Sequence, residues 1–178
     1  MNEKNEKLVW YALRVTYNRE LIVRDALEAK GIECFVPMTV HAVYVREKIV
    51  RKREAAIHNL IFVKIAPSDM RELKQYTTLP IRYIMDHETQ EPIIVPERQM
   101  ENFIAVCGTE DEQLIYLSPE EIRAKVGDKV EVLEGIFKGC KGEIMRVKGD
   151  RRLVVSIAGL VVVATAFIHP SLVKKIEG

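Results

Sequence analysis

The side chains of this chain are spaced for recognition, and none of their groupings suits covalent chemistry. The reactive residue types are scattered. His41 and His58 have no cysteine or carboxylate at ligand spacing, and His87 and His169 sit beside turn residues. Each histidine therefore reads as solvated or hydrogen-bonded, not as a metal ligand or a catalytic base. Cys34, Cys107 and Cys140 are odd in number and far apart. They make no CxxC pair and no disulfide framework, as suits a reducing, cytoplasmic compartment. No GxSxG, Walker loop or Cys/His cluster occurs, so no metal, no cofactor and no enzymatic role are expected. Recognition chemistry is better represented. Between Val126 and Val147 (VGDKVEVLEGIFKGCKGEIMRV), Val130 and Val132 alternate with polar residues, Gly135, Gly139 and Gly142 follow closely, and Ile144, Met145 and Val147 resume the apolar pattern. Strand, glycine-rich turn, strand is the start of a small β-barrel. The glycines lack the Lys-Ser/Thr and the helix that a phosphate cradle needs. The run Arg46 to Arg53 has two readings, a nucleic-acid grip or a solvated hairpin tip diluted by Glu47 and Glu54.

The elements that position these residues are visible in the apolar pattern. Leu8 to Val15 (LVWYALRV) is a buried central strand, on which one of Trp10 and Tyr11 must face inward. Asn18 is a helix N-cap, and Leu21, Ile22, Val23, Ala26, Leu27 and Ala29 keep a 3.6 period up to Gly31. Residues 33 to 45 read as extended, with Pro37 at an edge or irregularity. Residues 46 to 54 read as a charged connection. Leu60 to Ile65 is a buried strand in which Leu60 and Phe62 share a face. Ser68 caps a second helix, 82 to 85 is a short strand, and Pro96 opens a third helix ending near Val106. The polar segment GTEDE at 108–112 starts a linker, and from Val126 the chain turns to short valine-rich strands. Cys107 and Cys140 read as packing residues. The division expected is residues 1–110, a linker at 111–122, and a second domain at 123–178. The class is α+β: an antiparallel sheet flanked by helices, then a small SH3-like barrel.

Composition bounds the function. A chain of 178 residues with 48% hydrophobic and 30% charged residues is an ordinary soluble globular protein with room for one domain or two. The charged start MNEKNEK has no apolar core of a signal peptide, and no apolar run reaches membrane-spanning length. The net charge is +1, divided as −2 over residues 1–112 and +3 over 113–178. A dedicated duplex binder is more basic, so nucleic-acid contact is expected to be local and secondary to protein contacts.

Both halves resemble one family. Trp10-Tyr11, Val36-Pro37 and the strand Leu60 to Val63 resemble the NusG N-terminal domain, and Gly127-Asp128, Gly135, Phe137, Gly139 and Gly142 resemble its KOW domain. Ser156 to Gly159 is similar to that domain's second hairpin, and Leu172-Val173 to its closing strand. Ile32 to Met38 (IECFVPM) and Pro92 to Pro96 (PIIVP) look more like the specialised paralogues of the RfaH and UpxY type. The resemblance implies a factor that binds RNA polymerase, with the clamp helices of the largest subunit entering an apolar depression. The family's Phe-Pro-Gly/Asn-Tyr segment lines up with Ile57-His58-Asn59-Leu60, so the aromatic anchors are replaced. Trp10, Tyr11, Ile57, His58, Asn59, Leu60 and Phe62 are the residues the resemblance assigns to this surface. It assigns Arg71 and Lys74 to the opposite lobe of the polymerase, and Arg14, Arg19 and Arg24 to exposed non-template DNA. It implies a KOW-domain partner such as termination factor Rho or a ribosomal protein, although the two usual aromatic positions are Cys140 and Ala158 here. Loss of both favours a specialised antitermination factor for long operons such as capsular polysaccharide loci. The alternatives are a housekeeping factor coupling polymerase to Rho or the ribosome, and a KOW-type RNA- or ribosome-binding protein. β-branched residues and glycines from 126 to 163 oppose helix by roughly 0.5–1 kcal/mol per residue, so strands are expected there.

Overall fold

Val9–Val15 is apolar at every position but Arg14, because it occupies the centre of a sheet and is covered on both faces. The computed structural model describes residues 6–122, 127–157 and 159–177. Its elements are β1 (Val9–Val15), α1 (Glu20–Glu28), β2 (Glu33–Phe35), β3 (Met38–Val45), β4 (Lys48–Ala55), β5 (Leu60–Ile65), α2 (Pro67–Tyr76), β6 (Ile81–Tyr83), β7 (Ile94–Val95) and α3 (Glu97–Cys107). They continue as β8 (Ile115–Leu117), α4 (Pro119–Ile122), β9 (Asp128–Val132), β10 (Lys141–Val147), β11 (Asp150–Ile157), β12 (Val161–Phe167) and β13 (Val173–Lys175). Two units form. The first is Met1–Pro37 with Ile57–Glu97, and the second is Met38–Ala56 with Arg98–Gly178.

The first unit is built on an antiparallel sheet ordered β2-β5-β1-β6, with β7 also pairing to β1. β6 takes the Leu13 to Val15 part of β1 and β7 takes Trp10 and Tyr11. On α1, Glu20, Val23 and Leu27 are buried, a spacing that keeps one helical face inward. Pro67 fits the first turn of α2, where its missing N–H costs nothing. Ser68 lies inside that turn and does not cap it. Its N–H instead donates to Glu6 Oε2 at 2.8 Å, placing a carboxylate at the helix N-terminus. Asn18 likewise does not cap α1, because Arg19 holds that position without a side-chain bond.

The extended segment expected over 33–45 breaks at Val36-Pro37, where proline removes a ladder donor. β2 pairs with β5, whereas β3 pairs with β4. Residues 46–54 are therefore no mere connection. β4 is a full partner to β3, in register from Met38 opposite Ala55 to Val45 opposite Lys48. Arg46 (φ 46°) and Glu47 (φ 64°) make the turn, both left-handed as a two-residue hairpin requires.

In the second unit a six-stranded antiparallel sheet runs β13-β9-β10-β11-β12-β8. The small barrel expected from the glycine pattern is not seen as a closed sheet: among the described residues no pairing joins β13 to β8. β8 falls within the stretch expected as linker. Its Leu117 enters the core with Met145, Val147, Val154, Val162 and Ala164, against which Ile115 and Ile122 also pack. The glycine-rich segment closes the β9–β10 connection: Gly139 N–H donates to Val132 O at 2.8 Å, and Val132 N–H to Cys140 O at 3.0 Å. Gly135 (φ +89°) and Gly139 (φ +84°) supply left-handed positions, Phe137 and Cys140 are buried, and Gly127 leads into β9. Val126 lies outside the described residues.

Gly142 shows the tightest approach. A Cβ there would lie 2.5 Å from Val154 O and 3.0 Å from Leu153 Cδ1. Gly142→Ala is expected to lower unfolding stability by about 1–3 kcal/mol, as overpacking does. Equilibrium denaturation checks this, and an unchanged midpoint would contradict the packing of β10 on β11.

Candidate functional site

Opposed residues in an antiparallel pair share a face. The β1–β5 register sets Trp10, Ala12 and Arg14 beside Lys64, Phe62 and Leu60, and sets Tyr11 and Leu13 beside Val63 and Ile61. Val95 and Arg82 join the first face; Ile94 and Tyr83 join the second. The residues expected on one wall are thus divided: Trp10, Leu60 and Phe62 stand together, and Tyr11 is on the reverse face. All four are buried, Trp10 at 3%, Leu60 at 6%, Phe62 at 0% and Tyr11 at 6% exposure. They support a surface more than they form one. The accessible groups beside Leu60 are half-buried Ile57 and exposed His58. Farther along this face Lys64 Nζ lies 5.6 Å over the Trp10 ring and donates to Glu97 Oε1 at 2.9 Å.

Asn59 has a structural task that sequence alone did not assign. It adopts φ 63°, and its N–H donates to the buried carboxylate of Glu20. Its Oδ1 accepts the Asn18 N–H at 3.0 Å, and its carbonyl accepts the Val15 N–H at 3.0 Å. His58 Nδ1 stands 3.9 Å from Glu20 Oε1. The segment entering β5 is thereby locked to the β1–α1 turn, where Tyr17 (φ 61°) and Asn18 (φ 51°) are also left-handed. Tyr17 is 83% exposed, with the Arg19 guanidinium 5.7 Å from its ring.

The cations separate into occupied and open ones. Arg24 is held by Asp25 at 2.8 Å. Arg14 is exposed and lies opposite Arg82 on β6, and neither has an ion-pair partner among the described residues. Two opposed cations repel, and an anion between them relieves the repulsion. Arg82 was missed in the sequence, although it stands out as the one charged residue between Ile81 and Tyr83. On α2, Lys74 is half-buried: its Nζ donates to Ile81 O at 2.7 Å and sits 5.5 Å over the Tyr83 ring. Tyr83 packs against Tyr11 at 5.8 Å between ring centroids. Burial raises both tyrosine pKa values, for Tyr11 with help from Tyr83, while exposed Arg71 partly opposes the rise. Tyr11 therefore belongs with Arg71 and Lys74, on the opposite face from Trp10.

In the second unit Cys140 is buried, so its position presents no anchor, and Ala158 lies outside the described residues. Phe167 is 57% exposed, with the His169 ring edge-on at 6.4 Å, and Ile136 is 65% exposed. Neither drew notice in the sequence, since a single apolar residue at a strand end or in a turn carries no periodic signal. Burial pushes the Cys34 and Cys107 thiols up to about 12 and raises Cys140, so none is a thiolate near neutral pH. Among the described residues no group of three His, Cys, Asp or Glu could hold a metal ion, and no helix is long and apolar enough to cross a membrane.

Asn59 separates two contributions cleanly. Asn59→Gly keeps the left-handed backbone and loses the Oδ1 bond; Asn59→Ala loses both. The glycine variant should cost about 1 kcal/mol and the alanine variant about 1–2 kcal/mol more. Equal stabilities in thermal unfolding would refute the backbone lock.

The family described as "Transcription termination factor nusG" matches residues 8–104, from β1 into α3. The solved structure titled "Domain interaction in Thermotoga maritima NusG" superposes with a TM-score of 0.48 at 19% identity, over 96% of this chain and 98% of that one. No curated protein matches the chain.

Proposed function

The chain belongs to the NusG family, and we propose that it binds RNA polymerase and acts on transcript elongation. The observation that carries this reading is the family match over residues 8–104, which contains the whole β1–β5 sheet and both cation groups. The clamp-helix contact is assigned to the shoulder of Ile57 and His58, supported from beneath by Leu60, Phe62 and Trp10. Arg71 and Lys74, backed by Tyr11 and Tyr83, are assigned to the opposite lobe. Arg14 takes exposed non-template DNA, with Arg19 beside it and Arg82 added to the set. The specialised reading, antitermination over long operons, rests on the buried Cys140 at a position where a partner-binding aromatic is expected. A capsular polysaccharide locus fits that reading. The SH3-like KOW assignment of the second unit rests on its glycine-spaced strands.

A housekeeping reading is favoured by one specific observation, the exposed Phe167. It could anchor Rho or a ribosomal protein in place of the missing aromatics. The two readings differ in sign. In transcription with purified polymerase and Rho, the specialised factor increases full-length transcript, whereas a Rho-coupled factor decreases it and loses that effect in Phe167→Ala.

Polymerase binding is tested on the full chain with Ile57→Ala and His58→Ala together, which add no charge beside the buried Glu20. Leu60 is unsuitable, because its side chain is buried. Affinity for core polymerase should fall tenfold or more with the melting temperature unchanged. Unchanged affinity would remove the clamp contact from this shoulder.

A further inference from the structure

The β3–β4 hairpin places Arg51 and Arg53 on one face, two residues and therefore ~6.8 Å apart along the strand. Each meets an acid. Arg53 donates bidentately to Glu110, Nε to Oε2 at 2.7 Å and Nη2 to Oε1 at 2.5 Å. Arg51 Nη1 lies 2.8 Å from Glu112. The acids carry the same two-residue spacing, run antiparallel to the arginines, and follow α3 in the segment expected as a linker. Glu110 reaches this position in a left-handed conformation (φ 49°), unusual for a residue with a side chain. Its carboxyl is held below its ordinary value, first by the Arg53 hydrogen bond.

We propose that the Arg51/Arg53 face of the hairpin binds the phosphate backbone of a single-stranded nucleic acid, and that Glu110 and Glu112 are a built-in decoy occupying the two phosphate positions. Three observations converge on this occupant. A guanidinium fork takes phosphate and carboxylate in the same bidentate geometry. Tyr44 and Ile49 oppose each other on the same face toward the turn, 75% and 70% exposed, so an aromatic ring lies beside the arginines for base stacking. The reverse face adds exposed Lys48, and Lys52 there is held by Glu54 at 2.7 Å. Arg51 and Glu112 are both more than half exposed, and ion pairs of that kind are weak and screened, so a polyanion can displace them. The site is separate from the β1–β5 surface and stands whether or not the polymerase reading does.

The test uses the full chain and a fluorescent 20-nucleotide single strand of mixed sequence, read by anisotropy across a salt series. Glu110→Gln with Glu112→Gln should tighten binding roughly three- to tenfold, the scale of two ion pairs at the surface, one of them with Glu110 only a quarter exposed. A gain of affinity cannot come from unfolding. Arg51→Gln with Arg53→Gln should weaken binding and lower the log–log salt slope by about 1.4, the loss of two phosphate contacts on a single strand. In that arginine-free background the glutamine changes should add nothing. An equal gain in both backgrounds would show a mere net-charge effect and overturn the decoy. Equal or tighter binding of a 20-base-pair duplex would overturn the single-strand assignment. Binding of a poly-glutamate peptide but not of the strand would reassign the face to an acidic protein.

Discussion

The antiparallel register between β1 and β5 is the constraint on which the first unit depends. Opposing Trp10 to Lys64 and Arg14 to Leu60 decides which side chains share a face. A slip of β5 by one residue would bring Ile61 and Val63 to the Trp10 face and send Leu60 and Phe62 to the Tyr11 face. The lock on that register lies at the end of the pair, where Asn59 joins the entry of β5 to the turn after β1. A buried carboxylate, Glu20, satisfies an N–H that the left-handed Asn59 turns away from the ladder.

This lock also determines what the surface can present. The most apolar residues near β5 are spent on the core, so what stays accessible there is the margin: half-buried Ile57, exposed His58, and the opposed, exposed Arg14 and Arg82. On the other face Lys74 is held by its Nζ bond to Ile81 O and by the Tyr83 ring beneath its ammonium, Tyr11 packs against Tyr83, and Arg71 stays in solvent. The surface is thus a set of polar groups mounted on a rigid sheet, an arrangement suited to binding with little reordering.

The strongly patterned parts of the fold were legible in the sequence. β1 and β5 are apolar runs each interrupted by a single cation, Arg14 and Lys64, α1 keeps its period, and the glycine spacing identified the β9–β10 turn. The parts that were not legible lacked an apolar signal or depended on distant partners. β4 is charged at five of its eight positions and exposed at six, and becomes a strand only because β3 pairs with it. β8 is three residues long, and its membership of the second unit's core is set by β12. Among the candidate site residues, Leu60 and Phe62 share a face of β5, as alternation along a strand requires. The resemblance assigns Tyr11 to the same surface as Trp10, whereas alternation along β1 puts the two on opposite faces. Asn59 was read as part of a binding wall, since its hydrogen bonds to Glu20 and Asn18 span about forty residues.

The central claim is that RNA polymerase is bound by the margin of the β1–β5 sheet and the outer face of α2. Hydrogen–deuterium exchange of the full chain with and without core polymerase addresses it most directly. Slowed exchange at residues 57–60 and across α2 is the expected result. Protection confined to residues 128–175, with the first unit unchanged, would contradict it.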